Sequence, residues 1–179
     1  MFGNNLDFMV KRFIFFILLC TSGRIVSAQT LEQDANLKAE FIYNFTRYID
    51  WDIVDEGNDF VIGVIGSSAV TGPLADIAKT STVKNKKIII RQFDSPEEIS
   101  YCNILFISAN SSFSLSSILS KVSKGMLPIS EEAGFAEQGS AFNFVIVNDK
   151  LRFEANMKSI AASGLKISSQ LLKLAIRVD

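Results

Sequence analysis

The residues with the clearest binding chemistry are Arg152, Glu154 and Asn156, which alternate with apolar residues in a segment that has the periodicity of a β-strand. They would form one polar face of that strand. A guanidinium and an amide on such a face suit a small ligand or the carboxylate of a partner protein. The alternative is a solvated face at the edge of an antiparallel sheet. We therefore name Arg152 and Asn156 as candidate ligand-binding or partner-binding residues.

A second candidate site lies where two predicted strands end. Gly63 to Ser68 joins a strand to a helix, and Ser108 to Asn110 end another strand at what should be the same edge. Ligands of open α/β sheets bind at such edges, and these residues have hydrogen-bond donors for an anion or carboxylate. The segment lacks both the G-x-G-x-x-G and the Walker patterns, so the alternative is that Gly66 only makes a tight turn. Gly66 and Ser108 are the candidate residues here.

The chain contains no histidine. This removes the usual general base of Ser-His-Asp and Cys-His sites and the commonest zinc ligand. The carboxylate pairs Glu97-Glu98 and Glu131-Glu132 are neighbours in sequence, so we expect solvated charges and not a glycosidase-like pair. Most hydrolase functions are therefore excluded, and we predict no catalytic residues, no metal site and no cofactor.

The first 28 residues have the order of a cleaved secretory signal. Lys11 and Arg12 precede the apolar run 13–20, and Val26-Ser27-Ala28 supplies small residues for cleavage. The run is short for a membrane span of about 20 residues, so a retained anchor is the alternative. Cleavage at Cys20, as in a lipoprotein, is disfavoured by Leu19. We predict a signal peptide at 1–28, a single domain at 29–179 and a periplasmic location.

Charge and cysteine content limit the partners. Removing Lys11, Arg12, Arg24 and Asp7 with the signal would change the formal net charge from −1 to −3, because 15 basic and 18 acidic residues remain. A mildly acidic chain is not expected to bind nucleic acid. The mature chain would keep only Cys102, which we predict to be a buried, inert thiol; a reactive thiol is the alternative.

The order of elements predicts the fold class. Leu37, Phe41 and Phe45 recur at helical spacing, and buried strands are expected at 60–65, 88–93 and 102–108 with helices between them. Because strands and helices alternate until a final hairpin, we predict an α/β single domain. It has a mixed β-sheet flanked by helices on both faces and ends in a β-hairpin plus helices.

The closing stretch is the most detailed prediction. Residues 142–156 read as a hairpin turning at Asn148 and Asp149. Met157 to Ser163 then suits a helix ended by Gly164, and Ser168 can cap a last helix. Leu171, Leu174 and Ala175 repeat at helical spacing in that last helix.

The same stretch, LRFEANMKSIAASGLKISSQLLKLA, resembles the closing segment of the YfiR-like family. Three upstream segments agree in order: LKAEFIYNFTRYIDW, CNILFIS and FAEQGSAFNFV. The likeness spans about Leu37 to Ala175. Some relatives carry paired cysteines, which this chain lacks, so a disulfide switch is not implied here.

The resemblance implies a non-enzymatic periplasmic regulator that binds the outward domain of an inner-membrane diguanylate cyclase or sensor kinase and represses it. Cyclic-di-GMP signalling and biofilm formation would fall as a result. The alternative function is a periplasmic small-solute-binding module with its site near Gly66 and Ser108. A homodimer is also among the expected assemblies.

Overall fold

A computed structural model describes residues 25–51 and 59–178. The first 24 residues of the predicted signal peptide, Cys20 included, lie outside this part, and cleavage after Ala28 stays a prediction. The chain divides into two units, Met1–Asp34 and Ala35–Asp179, and the second holds the sheet and all surfaces discussed below. In the described part, no helix combines the length and apolar character that a membrane span requires.

The helices and strands follow in alternation, as the sequence predicts. The helices are α1 Ile25–Phe45, α2 Thr71–Thr80, α3 Leu115–Leu119, α4 Met157–Ser163 and α5 Ser169–Leu172, with a 3₁₀ turn at Pro96–Glu98. The strands are β1 Ile49–Asp50, β2 Asp59–Ile65, β3 Thr82–Val83, β4 Lys86–Phe93, β5 Ile104–Ile107, β6 Leu127–Ser130, β7 Phe142–Val147, β8 Lys150–Asn156, β9 Lys166–Ile167 and β10 Ile176–Val178.

Eight strands form one mixed sheet in the order β10-β8-β7-β6-β5-β2-β4-β3, and β1 pairs with β9 in a separate two-stranded sheet. The strands from β4 through β2, β5 and β6 to β7 run parallel. The hairpin partner β8 is antiparallel to β7, and β10 is parallel to β8. The predicted α/β fold with a mixed sheet and a closing hairpin is confirmed.

Hydrophobic cores cover both faces of the sheet. Ile104 and Phe106 belong to one core and Leu105 and Ile107 to the other, as successive residues of a strand must. The first core holds the buried residues of α1, and the second holds Leu115 and Ile118 of α3. Helix α1 therefore packs on one face of the sheet and α3 on the opposite face.

A cluster of phenylalanine rings attaches α1 to the hairpin. The Phe45 ring centroid lies 5.0 Å from that of Phe142 and 4.9 Å from that of Phe153. Phe41, one helical turn earlier, lies 6.0 Å from Phe144. A turn of helix and two residues of strand have similar rises, so the rings stay in register along both elements.

The local signals of the closing stretch are confirmed in detail. Asn148 and Asp149 have positive φ angles of 51° and 57° in the hairpin turn, and Gly164 ends α4 in the left-handed region. The Ser168 hydroxyl accepts a hydrogen bond from the N–H of Leu171 as an N-cap. The last helix is shorter than predicted, because α5 ends at Leu172 and the chain then turns into β10.

Candidate binding surfaces

An apolar groove of about 460 Å³ runs between α1, the start of β8 and the segment around α5. We call it the apolar groove. Phe41, Phe45 and Phe153 of the ring cluster lie along it, and Leu171, which is buried, comes from α5. Its other lining residues are Asn44, Arg47, Tyr48, Leu151, Arg152 and Leu174. The groove is therefore built from the elements that the sequence predicts most clearly.

Two large apolar side chains of the groove remain exposed to solvent. Leu174 is 61% exposed and Tyr48 is 40% exposed. Leu174 follows the end of α5 and so lies outside the helical face that buries Leu171. Single exposed apolar side chains are ordinary, but two beside one apolar concave surface make that surface a candidate binding site.

The groove also borders the first half of strand β8. Strand β10 pairs with residues 154–156 of β8, whereas β8 itself begins at Lys150. Leu151 to Phe153 therefore lie beyond the register of β10, and all three line the groove.

Arg152 is exposed and lines the apolar groove. Its charge is joined there by Arg47, whose guanidinium carbon lies 5.4 Å from the centre of the Tyr43 ring. Among the described residues that line the groove, these two arginines carry the charges. The structure thus places the predicted residue Arg152 on a surface with both apolar and basic character, and its role in binding stays a prediction.

Asn156 is not part of an exposed polar row, and that interpretation of its position is wrong. Its side chain is 5% exposed and serves the fold. The carbonyl oxygen Oδ1 accepts from the N–H of Ser159 at 2.9 Å and caps α4, while Nδ2 donates to the carbonyl of Ala136 at 2.7 Å. Strand alternation places Asn156 on the same face as Arg152, but this end of the strand is covered by the loop that contains Ala136.

Glu154 lies between these two residues and is half-buried. Its Oε2 accepts from Nδ2 of Asn143 at 2.9 Å, and the buried Ser130 hydroxyl donates to Oδ1 of Asn143 at 2.8 Å. The three side chains connect β6, β7 and β8 across one face. Of the predicted polar face, only Arg152 is therefore directed at a candidate binding surface.

A polar cavity of about 480 Å³ lies at the carboxyl ends of β2, β4 and β5. We call it the polar cavity. Gly66, Gln92 and Asn110 line it, and the N–H of Ser108 donates to the carbonyl of Ile65 at 3.1 Å. The prediction that Gly66 and Ser108 lie at one sheet edge is confirmed in position, and their role as a ligand site stays a prediction.

The donors expected to bind a ligand at this edge are engaged within the protein. The Ser108 hydroxyl donates to the carbonyl of Ser67 at 2.7 Å and accepts from the N–H of Asn110 at 3.1 Å. The N–H of Ala109 donates to Glu131 Oε1 at 3.3 Å. Ser108 itself is buried. These hydrogen bonds hold adjacent loops together, so the groups at the strand ends stabilise the fold.

Glu131 is not the solvated charge that the sequence suggests. Its Oε2 lies 2.6 Å from Nζ of Lys38 on α1, and the two side chains are 11% and 20% exposed. The pair ties α1 to the strand ends near Ala109. No sequence pattern predicts this contact, because the partners are far apart in the chain.

Gly66 has a structural reason to be glycine. Its φ is +86°, and a Cβ atom there would lie 2.9 Å from Cα of Ser111. A side chain would thus meet both a strained backbone conformation and a backbone contact. The geometry fits the tight-turn interpretation of Gly66.

Cys102 is fully buried and is a free thiol. Burial raises the pKa of this thiol from 9.0 to about 12, against smaller opposing effects of a hydrogen bond with the Gly63 backbone and of the Arg91 charge. The reactive thiolate is therefore strongly disfavoured. In the described residues, no group of three metal-binding side chains is found.

Sequence reasoning missed the apolar groove itself. Leu174 falls on a predicted helical face, and only tertiary packing places Tyr48 in the same groove, since the two residues are distant in the chain. No local pattern marks Leu174 as exposed, because the early end of α5 at Leu172 is not apparent from the sequence.

A family model described as YfiR/HmsC-like matches residues 35–176. This range covers α1 from Ala35, the whole sheet as far as Ile176 and both surfaces described above. Members of this family are periplasmic regulators of cyclic-di-GMP signalling and are not enzymes.

Proposed function

We propose, from the premise that this chain belongs to the YfiR/HmsC-like family, that it binds the periplasmic domain of an inner-membrane diguanylate cyclase or sensor kinase and represses it. Family membership supports a regulatory role in general, and the partner is our proposal. Export by a signal peptide ending at Ala28 would bring the domain 29–179 to the periplasm, where such a partner is accessible.

The observation that carries the proposal is the apolar groove with exposed Tyr48 and Leu174 on its margin. A regulator that acts without chemistry must act by binding, and binding energy comes mainly from apolar side chains that lose contact with water. Arg152 adds a charge that can pair with a partner carboxylate. The groove therefore supports a protein partner, and Arg152 is the predicted site residue that it includes.

The test measures binding of the protein, purified from the periplasm after export, to a full-length diguanylate cyclase from the same genome in lipid nanodiscs. We expect binding that Leu174→Ser weakens by about tenfold, since the exposed leucine would be buried in the complex. Phe113→Ser is the matched control, because Phe113 is 40% exposed but lines the polar cavity. Equal loss in both variants, or no binding by the wild type, would contradict the proposal.

The polar cavity supports a second candidate, a small-solute-binding module. Its volume is sufficient for a small molecule, and Gln92, Asp94 and Asn110 supply polar side chains. Calorimetric titration with small organic acids and amino acids distinguishes the two functions. Saturable binding that Phe113→Ser weakens and Leu174→Ser leaves unchanged would favour the solute-binding function.

A further inference from the structure

A basic recess of about 390 Å³ adjoins the apolar groove. Arg47 and Tyr48 line both concave surfaces, so the two share a wall. The recess also includes Lys84 from the turn after β3 and Lys166 from β9. The small β1–β9 sheet forms its floor.

The charge of this recess opposes that of the chain. Asp50 and Lys166 are directly paired across β1 and β9, and Lys84 Nζ donates to Asp50 Oδ1 at 2.7 Å. Among the described residues that line the recess, Arg47, Lys84 and Lys166 against the carboxylate of Asp50 give a formal charge of +2, whereas the whole chain carries −1. With Arg152 in the adjoining groove, the combined surface carries +3.

We propose that the apolar groove and the basic recess form one docking surface for a segment of the partner's periplasmic domain that carries an apolar side chain next to an acidic residue. The apolar side chain occupies the groove, and the carboxylate lies in the recess against Arg47 and Lys166. The inference rests on the proposed function and specifies the chemistry of the partner segment. Charge complementarity selects this occupant over a neutral or basic segment.

The exposure of the charges indicates their role. The side chains of Lys84 and Asp50 are 53% and 36% exposed, so solvent screens this ion pair. Charges on such a rim give specificity and a faster encounter more than affinity. A carboxylate of the partner would therefore direct the segment, while the groove supplies most of the binding energy.

The experiment compares Arg47→Gln/Lys166→Gln with wild type, using the full-length cyclase in nanodiscs of zwitterionic lipid and empty nanodiscs as blank. We expect an affinity about tenfold lower at low salt and a difference that shrinks as salt rises, because screening removes the charge contribution. Lys121→Gln is the control, since Lys121 follows α3 on the opposite face of the sheet. Thermal melting establishes that each variant is folded.

The outcomes separate this inference from the proposed function. If the double variant binds as wild type does while Leu174→Ser is weakened, the recess plays no part and the inference is overturned, although the proposed function stands. The inference is also overturned if Lys121→Gln loses as much affinity as the double variant. If wild type itself does not bind the cyclase, the proposed function fails and the inference fails with it.

Discussion

The apolar groove and the polar cavity have nearly the same volume, about 460 and 480 Å³. They differ in whether their side chains already have partners within the protein. In the polar cavity, Gln92 Nε2 donates to the carbonyl of Gly66 and the Asn110 amide lies within 3.4 Å of the carbonyl of Ser67. In the groove, large apolar side chains remain in contact with water.

This difference shows why volume alone does not identify a binding surface. Polar groups that bond one another in the absence of a ligand gain little when a ligand replaces those bonds, since one hydrogen bond is exchanged for another. Exposed apolar side chains gain whenever they are covered. The changes below test whether the groove binds and the cavity supports the fold.

The largest effect is expected for Leu171→Ala, at the buried floor of the groove. The leucine is 3% exposed, and its truncation should cost about 2 to 5 kcal/mol through the cavity left behind. Urea denaturation measures the loss, which should impair every assay at once. Leu172→Ala on the same helix is only partly buried and should cost about 1 kcal/mol or less. Equal costs would show that α5 is not packed as described.

Asn156→Ala should cost about 1 to 3 kcal/mol, because it removes the cap of α4 and one of the two hydrogen bonds that the Ala136 carbonyl accepts, the other coming from the N–H of Gly139. Asn156→Ser is the control that keeps a capping acceptor without adding a charge and loses the amide donor. Thermal melting compares the two. Normal stability combined with weakened partner binding would return Asn156 to the binding surface that the sequence predicts.

Gly66→Ala should destabilise by about 1 to 2 kcal/mol, since alanine resists φ of +86° and its Cβ would approach Ser111. Gly72 in α2 is the matched control, because apart from its chain neighbours a Cβ there meets nothing within 4 Å. Gly72→Ala should cost less than Gly66→Ala, its one expected cost being the contact of the new Cβ with the ring of Pro73 that follows it in the helix. Urea denaturation of the pair decides whether glycine is needed at the cavity for backbone geometry.

Cys102→Ser should fold with a loss of about 1 kcal/mol, the cost of burying a hydroxyl in place of a thiol. The stability of the wild type should also depend on pH, because the pKa of the Cys102 thiol is about 12 in the folded protein and its ordinary value is 9.0. Between these values the unfolded state loses its proton and the folded state keeps it, so the stability contributed by the thiol falls as pH rises. Urea denaturation at pH 8 and pH 10 should show a smaller gap between wild type and variant at pH 10. Loss of regulation with normal melting would instead identify Cys102 as a redox sensor.

The smallest change in stability is expected for Arg152→Ser, about 0.5 kcal/mol or less at an exposed site. We nevertheless expect weaker binding to the cyclase, because the guanidinium lines the groove. Lys150→Ser removes a charge from the same strand outside the groove lining and is the control. Unchanged binding of Arg152→Ser would make this face a plain solvated strand surface.

Local sequence signals predicted most of the fold. The turn at Asn148 and Asp149, the end of α4 at Gly164 and the Ser168 cap follow from residue chemistry within a few positions. Strand β10 was missed, since three residues give no period and only its pairing with β8 defines it.

The binding surfaces were predicted less well, for a physical reason. Parallel pairing of β2 and β5 brings Gly66 and Ser108 together, and alternation along the sequence is enough to foresee that. The groove depends on the contact between Phe45 and Phe153 and on the position of Leu174 after α5. Both are tertiary features that join residues distant in the chain. Asn156 is a further example. Alternation along a strand predicts the face of the sheet on which a residue lies, but it does not predict which loop covers that face.

The contact between α1 and the β7–β8 hairpin has a consequence for the order of folding. Phe41 and Phe45 come early in the chain, whereas Phe142, Phe144 and Phe153 come late, so the main core cannot close until both ends of the domain are present. Such distant contacts slow folding, since a long loop must close before they form. A chain organised in this way folds late, which would suit the export that the predicted signal peptide implies.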